Sequence, residues 1–162
     1  MYRAEAGVKR DPERRWALPD RIFFACGACH ILAYAFLERH PGSRFRAVWL
    51  KPKKGFTGSH IVVSRSGQAF DYHGYSSWEA LLAHTSRKAC RWWPGWHADP
   101  VELPQEVLIS EERSRTYDGL WLREPGQFLH DALPRARRFL DRFAAPDDRQ
   151  AFRQLAATAR KA

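Results

Sequence analysis

The sequence predicts an α+β domain: one helix packed on an antiparallel sheet, with further helices covering a flank. Three observations carry this. Ile31, Leu32, Ala35 and Phe36 fall at helical spacing within His30–Arg39, and neither Gly nor Pro interrupts before Pro41. Three short apolar segments between Phe45 and Tyr72 are separated by turn residues, the mark of a meander. Two C-terminal stretches, about 127–143 and 148–160, read as helices. Asp147 and Asp148 near the start of the second, with Arg160 and Lys161 at its end, suit the helix dipole.

Taken in order, residues 1–20 read as a polar arm and 21–162 as the single domain. Residues 21–25 read as a short extended lead-in, followed by Gly27, which permits a turn conformation other residues resist. The helix then runs to about Arg39 and stops at His40-Pro41-Gly42-Ser43. Phe45–Leu50 is a strand. Lys51–Gly58 is a basic loop, and His60–Ser64 is a β-branched second strand. Arg65-Ser66-Gly67 is a turn into a third strand, Gln68–Tyr72, closed by a turn at His73-Gly74. Ser76 with Glu79 reads as a capping box for a helix from Trp78 to about Thr85. Arg91–Pro104, with Trp92, Trp93 and Trp96, is expected as an ordered loop, and Val107-Leu108-Ile109 as a short strand. Pro134 is expected to interrupt the first C-terminal helix.

Composition narrows the function classes. A 162-residue chain with 44% hydrophobic residues and seven Trp is long and apolar enough for a real core, which argues against disorder. No apolar run approaches the ~20 residues of a membrane span. The charged N-terminus lacks a signal-like apolar stretch, so a cytoplasmic origin is expected, with secretion through a dedicated machine as the other route. Three Cys fit a reducing compartment better than a disulfide scaffold. The formal charge of +9 suits an anionic partner such as nucleic acid. That reading places its interface on Lys51, Lys53 and Lys54 with Arg135, Arg137 and Arg138, although charge runs are usually solvated surface.

The chemistry gathers around Cys29. A thiol in the first helical turn faces unpaired N–H groups and the positive end of the dipole, and both favour the thiolate. A nucleophilic thiol also needs a base and a group to orient that base. If Ser66-Gly67 is the hairpin loop, Arg65 pairs with Gln68, Asp71 lies opposite Val62, and His60 is its diagonal neighbour. If Arg65-Ser66 is the loop, His60 faces Asp71 directly. Either two-residue loop keeps the pair on one side of the sheet, whereas a three-residue loop separates them.

The run Cys29-His30-x-Leu-Ala-x-Ala-Phe, then Gly58-Ser59-His60-Ile61-Val62-Val63, then Phe70-Asp71-Tyr72-His73-Gly74, resembles the core of the papain-like and transglutaminase-like thiol hydrolases. The resemblance covers about residues 22–75. It implies a papain-like core with Cys29 as nucleophile, His60 as general base and Asp71 as its orienter. It also implies a peptidase, amidase or deamidase that needs neither cofactor nor metal and acts on a peptide or amide, including protein substrates. Enzymes of papain type place a Gln shortly before the Cys. Arg21–Ala25 holds none, so the oxyanion would rely on the Cys29 N–H and a second backbone donor near Cys26 or Gly27. Trp92 and Trp93 are candidates for a wall of the substrate cleft, with Gly27 lining it.

The same residues permit other chemistries. Cys26-Gly27-Ala28-Cys29-His30 matches a c-type haem attachment pattern, but the only Met is Met1 and no export signal is evident. Cys26 and Cys29 also match a thioredoxin-type dithiol, without the βαβ unit and Pro-containing loop of that fold. Zinc at Cys26 and Cys29 would need Cys90 with His84 or His97. Taken singly, a Cys near an apolar helix is most often core, His30 adjoins Cys29 at another helical azimuth, and the Trp cluster is most often a core plug.

Overall fold

The computed structural model describes residues 7–146 and has an α+β architecture. Its five-stranded antiparallel sheet has the order β4-β3-β2-β1-β5. Helices α1 (Pro12–Trp16), α2 (Asp20–Ala25) and α3 (Cys29–Arg39) precede the strands. Strands β1 (Arg46–Pro52), β2 (His60–Arg65), β3 (Gln68–Asp71) and β4 (Gly74–Ser77) form the meander. Helix α4 (Trp78–Cys90) leads to β5 (Ala98–Leu103), which returns to pair with β1. Short α5 (Glu111–Ser114) and then α6 (Ala132–Leu140) finish the described chain. The helix expected over 148–160 lies outside the described residues.

Alternation along the strands sorts the core into two layers. Ala47, Trp49, Ile61, Val63, Phe70 and Tyr72 pack with α2, α3 and α6. Leu50, Val62 and Ala69 turn the other way, toward Leu81 of α4. Helix α3 is enclosed by the sheet on one side and its neighbouring helices on the other. It therefore buries Ile31, Leu32, Phe36 and Leu37 together. At roughly 1.5–3 kcal/mol for each large side chain, this helix is the main apolar anchor of the fold.

Local chemistry sets the site-bearing hairpin. Ser66 and Gly67 take φ of 44° and 80°, as a two-residue loop with left-handed central residues requires. Arg65 pairs with Gln68 and Val63 with Phe70, the first of the two registers the sequence allows.

Several elements differ from expectation, each for a physical reason. Residues from 7 to 19, read as part of a polar arm, pack inward: Val8 is buried and Trp16 meets Phe23 edge-on at 5.4 Å. The expected extended lead-in is helix α2, whose Phe23 and Phe24 are fully buried against the α3 layer. Gly74–Ser77 forms a strand rather than a plain turn, so the cap shifts one residue. Ser77 accepts the Ala80 N–H at 3.1 Å, and α4 runs on to Cys90. The expected 91–104 loop contains β5, where Pro100 is tolerated on an edge strand. Val107-Leu108-Ile109 lies in a 3₁₀ turn, Gln105–Ile109. Pro134 sits in the first turn of α6, after the Asp131 cap, where a missing N–H costs nothing.

Candidate active site

Cys29 is the first residue of α3, set there by Gly27, whose φ of 100° turns the chain out of α2. The turn is clamped by Arg15. Its Nη2 donates to the Gly27 carbonyl at 2.9 Å and lies 3.5 Å from the Cys26 carbonyl. Arg15 is itself buried, with its guanidinium 4.6 Å above the Phe128 ring. Cys29 is only half-buried, whereas Cys26 is sealed beneath it.

His60 opens β2 and Asp71 closes β3, so the hairpin brings both to the sheet end where α3 begins. His60 Nε2 lies 3.0 Å from Asp71 Oδ2, with both side chains buried. Asp71 is held in turn by the next bend. Its Oδ1 accepts the His73 N–H at 2.7 Å, an Asx-type turn, and His73 Nδ1 lies 3.3 Å from the same oxygen. Cys29 lies close enough to His60 for each to shift the other's titration. A crevice too tight to admit water backs this cluster, lined by Leu32, Ala33, Ile61, Phe70 and Tyr72. It keeps the local dielectric low, so the charges there interact strongly.

The titrations follow from these contacts. Burial alone pushes the Cys29 thiol up, but hydrogen bonds from His30 and His60 and the charges of both rings outweigh it. The thiol is lowered to about 5. Burial likewise disfavours the His60 cation, yet hydrogen bonds to Asp71 and Cys29 and their negative charge raise it to about 9. Burial also opposes the Asp71 charge, but hydrogen bonds from His60 and His73 hold the carboxyl well below the usual carboxylate range. Together these shifts favour a thiolate–imidazolium pair at neutral pH.

Comparison with protein-family models, curated proteins and solved structures gives no match. The reading therefore rests on the residues themselves.

The structure brings Cys29, His60, Asp71 and Gly27 together. Trp92 and Trp93 belong to the turn after α4, and α4 packs on Leu50, Val62 and Ala69. Trp92 is exposed, and buried Trp96 donates Nε1–H to the Thr57 carbonyl at 2.7 Å, so this cluster seals the β1–β2 loop. Most cations of the basic alternative face carboxylates. Lys51 pairs with Asp118 at 3.1 Å, Lys53 with Asp99 at 2.6 Å, Arg135 with Asp20 at 2.9 Å and Arg137 with Glu38 at 2.9 Å. Lys54 and Arg138 are exposed, one in the β1–β2 loop and one on α6. Among the described residues no group of three or more His, Cys, Asp or Glu is placed to hold a metal ion. No described helix is long and apolar enough to cross a membrane.

Three contributors escaped the sequence reading. His30 is buried and hydrogen-bonded to Cys29, and its Nε2 lies 2.9 Å from the Arg123 carbonyl. His73 had a local signal, since an Asp two residues earlier commonly caps such a bend. Arg15 had none, because its role depends on folding against a turn eleven residues away.

Proposed function

We propose that this protein is a cysteine-dependent hydrolase of peptide or amide bonds. The observation that carries the reading is the buried His60–Asp71 hydrogen bond at 3.0 Å, with the half-buried Cys29 thiol near enough for His60 to lower it. The Cys29 thiolate attacks the acyl carbon, the C–S bond forms, and the carbonyl π pair moves onto oxygen. The Cys29 and His30 N–H groups at the start of α3, ahead of the first helical bond to the Ala28 carbonyl, serve that developing charge. The His60 imidazolium then protonates the leaving nitrogen as the C–N bond breaks, leaving a thioester. His60, now neutral, takes a proton from water as the water attacks the thioester, and the thiolate departs. Asp71 keeps the ring in one tautomer and stabilises its cation throughout.

The test is a burst assay with p-nitrophenyl acetate, read with intact and site-mapped mass. The expected result is a stoichiometric burst, acetyl on Cys29, and loss of both in Cys29→Ser. An absent burst, or one of equal rate in His60→Ala, overturns the proposal. A basic nucleic-acid-binding role is less favoured, since four of the cations it would use are already paired with carboxylates.

A further inference from the structure

We propose that the substrate carries a carboxylate beside the reacting carbonyl, and that this carboxylate docks against Arg15 and Arg123 at the N-terminus of α3. The proposal rests on the thiol-hydrolase reading above and names the class of substrate that site selects.

Arg15 is only 5% exposed, and its Nη2 is engaged by the Gly27 and Cys26 carbonyls. Its Nε is buried with no hydrogen-bond partner. Arg123 arrives from the extended segment after buried Leu120 and Leu122, and its carbonyl meets the ring of His30, the residue next to the nucleophile. Its own side chain is half-buried. Among the described residues, no carboxylate pairs with Arg15 or Arg123. Arg39, Arg135, Arg137 and Arg142 all face one. Burial and the charge of Arg123 together lower the Arg15 guanidinium to about 10, as expected for a cation short of counter-charge.

The surroundings add to this excess. The positive end of α3 lies at the same turn, while the Asp71 carboxylate and the thiolate offset the His60 imidazolium. A buried cation with an unmade hydrogen bond is costly, so an arriving carboxylate is bound by relieving that cost. Trp121, 60% exposed and two residues before Arg123, offers an indole for the apolar part of the substrate.

The probe is a pair of alkylating reagents alike except in charge, iodoacetate and iodoacetamide. In each case the C–S bond to Cys29 forms as the C–I bond breaks and iodide leaves. The ratio of the two second-order rates is read within each protein, which cancels any change in thiol reactivity. The expected wild-type ratio exceeds that of free cysteine by about tenfold and shrinks with added salt. It falls at least about threefold in Arg123→Gln and further in Arg123→Glu. A fast iodoacetamide reaction with an unchanged ratio in both variants overturns the carboxylate site alone. A wild type that reacts with both reagents like an ordinary thiol overturns the hydrolase reading and this site with it.

A second comparison separates the sources of the carboxylate. Chloroacetyl-glycine is set against its amide, and chloroacetyl-glutamic α-amide against chloroacetyl-glutaminamide. Preference for the acid in the first pair assigns a chain-terminal carboxylate, and in the second a side-chain one. No preference in either pair overturns the proposal.

Discussion

Replacing His60 with Ala removes one hydrogen bond and one positive charge from the thiolate, and the effect on alkylation is calculable. In the wild type the thiol sits at about 5, so about 90% is ionised at pH 6. Without His60 the thiol rises from there, with His30 still lowering it, and the upper limit is the ordinary value of roughly 8.5, where about 0.3% is ionised at that pH. At that limit ionisation alone would slow iodoacetamide by about 300-fold. A more basic thiolate is a better nucleophile, with a Brønsted slope of roughly 0.4–0.5, which recovers about 25-fold. The net expectation at pH 6 is a loss of roughly tenfold. At pH 9 both proteins are largely ionised, and the variant is expected to react roughly twentyfold faster than the wild type. The two pH–rate curves must therefore cross near neutrality. The assay is a stopped pH series on both proteins, with site mapping to Cys29 and circular dichroism to confirm folding. Parallel curves that never cross would refute the claim that His60 holds the thiolate.

Stability should carry the same signature. Asp71 titrates lower in the fold than in the unfolded chain, so its contribution is present above about pH 4 and lost as pH falls below that. The gap in thermal midpoint between wild type and Asp71→Ala should accordingly close toward pH 2, and a constant gap would count against the buried carboxylate pair. His60 has the opposite sign. Its pKa is raised on folding to about 9, so its contribution is full below about pH 6.5 and fades as pH rises through about 9. The wild-type advantage over His60→Ala should thus shrink between pH 7 and 10 in thermal melts. Gly74→Ala should destabilise by more than about 2 kcal/mol, since φ is 102° and the new Cβ would meet Phe143 at 2.8 Å. A urea titration matching wild type would disprove this. Arg135→Ala should cost about 2–4 kcal/mol, because its guanidinium binds the Trp16 and Leu18 carbonyls at 2.6 Å and Asp20 at 2.9 Å. An unchanged urea midpoint would make it a surface cation after all.

What the sequence disclosed was local. The periodicity of Ile31, Leu32, Ala35 and Phe36 marks α3, and Ser66-Gly67 sets a register that brings His60 and Asp71 into reach. Each depends on neighbours within a turn or a hairpin. The sequence hid what tertiary packing decides. Ile22-Phe23-Phe24 is a short apolar run that fits strand or helix equally until α3 and α6 supply the surroundings. Strand β5 depends on pairing with a strand almost fifty residues earlier, and Pro100 masks it. The Val107-Leu108-Ile109 segment has strand propensity, but the chain leaving Pro104 folds it against the α3 layer. Arg15 reaches the turn before Cys29, and the Arg123 carbonyl reaches His30, only through long-range folding, and no spacing rule signals that.

The strand order β4-β3-β2-β1-β5 has a consequence for breathing motions. Strands β4 and β5 are the edges, and at the site His60 pairs with Leu50 of β1 and Asp71 with Gly74 of β4, while β2 and β3 pair with each other over Val63–Arg65 and Gln68–Phe70. Local opening begins where a strand is held from one side. Amide exchange should therefore run fast along the outer rows and slowest in Val62, Val63 and Phe70. The ion pair thus sits at the open end of the hairpin, with Asp71 beside an edge strand. Release of β4 would loosen Asp71 before the centre of the sheet opens, so the poised thiolate should be lost before the slowest amides exchange.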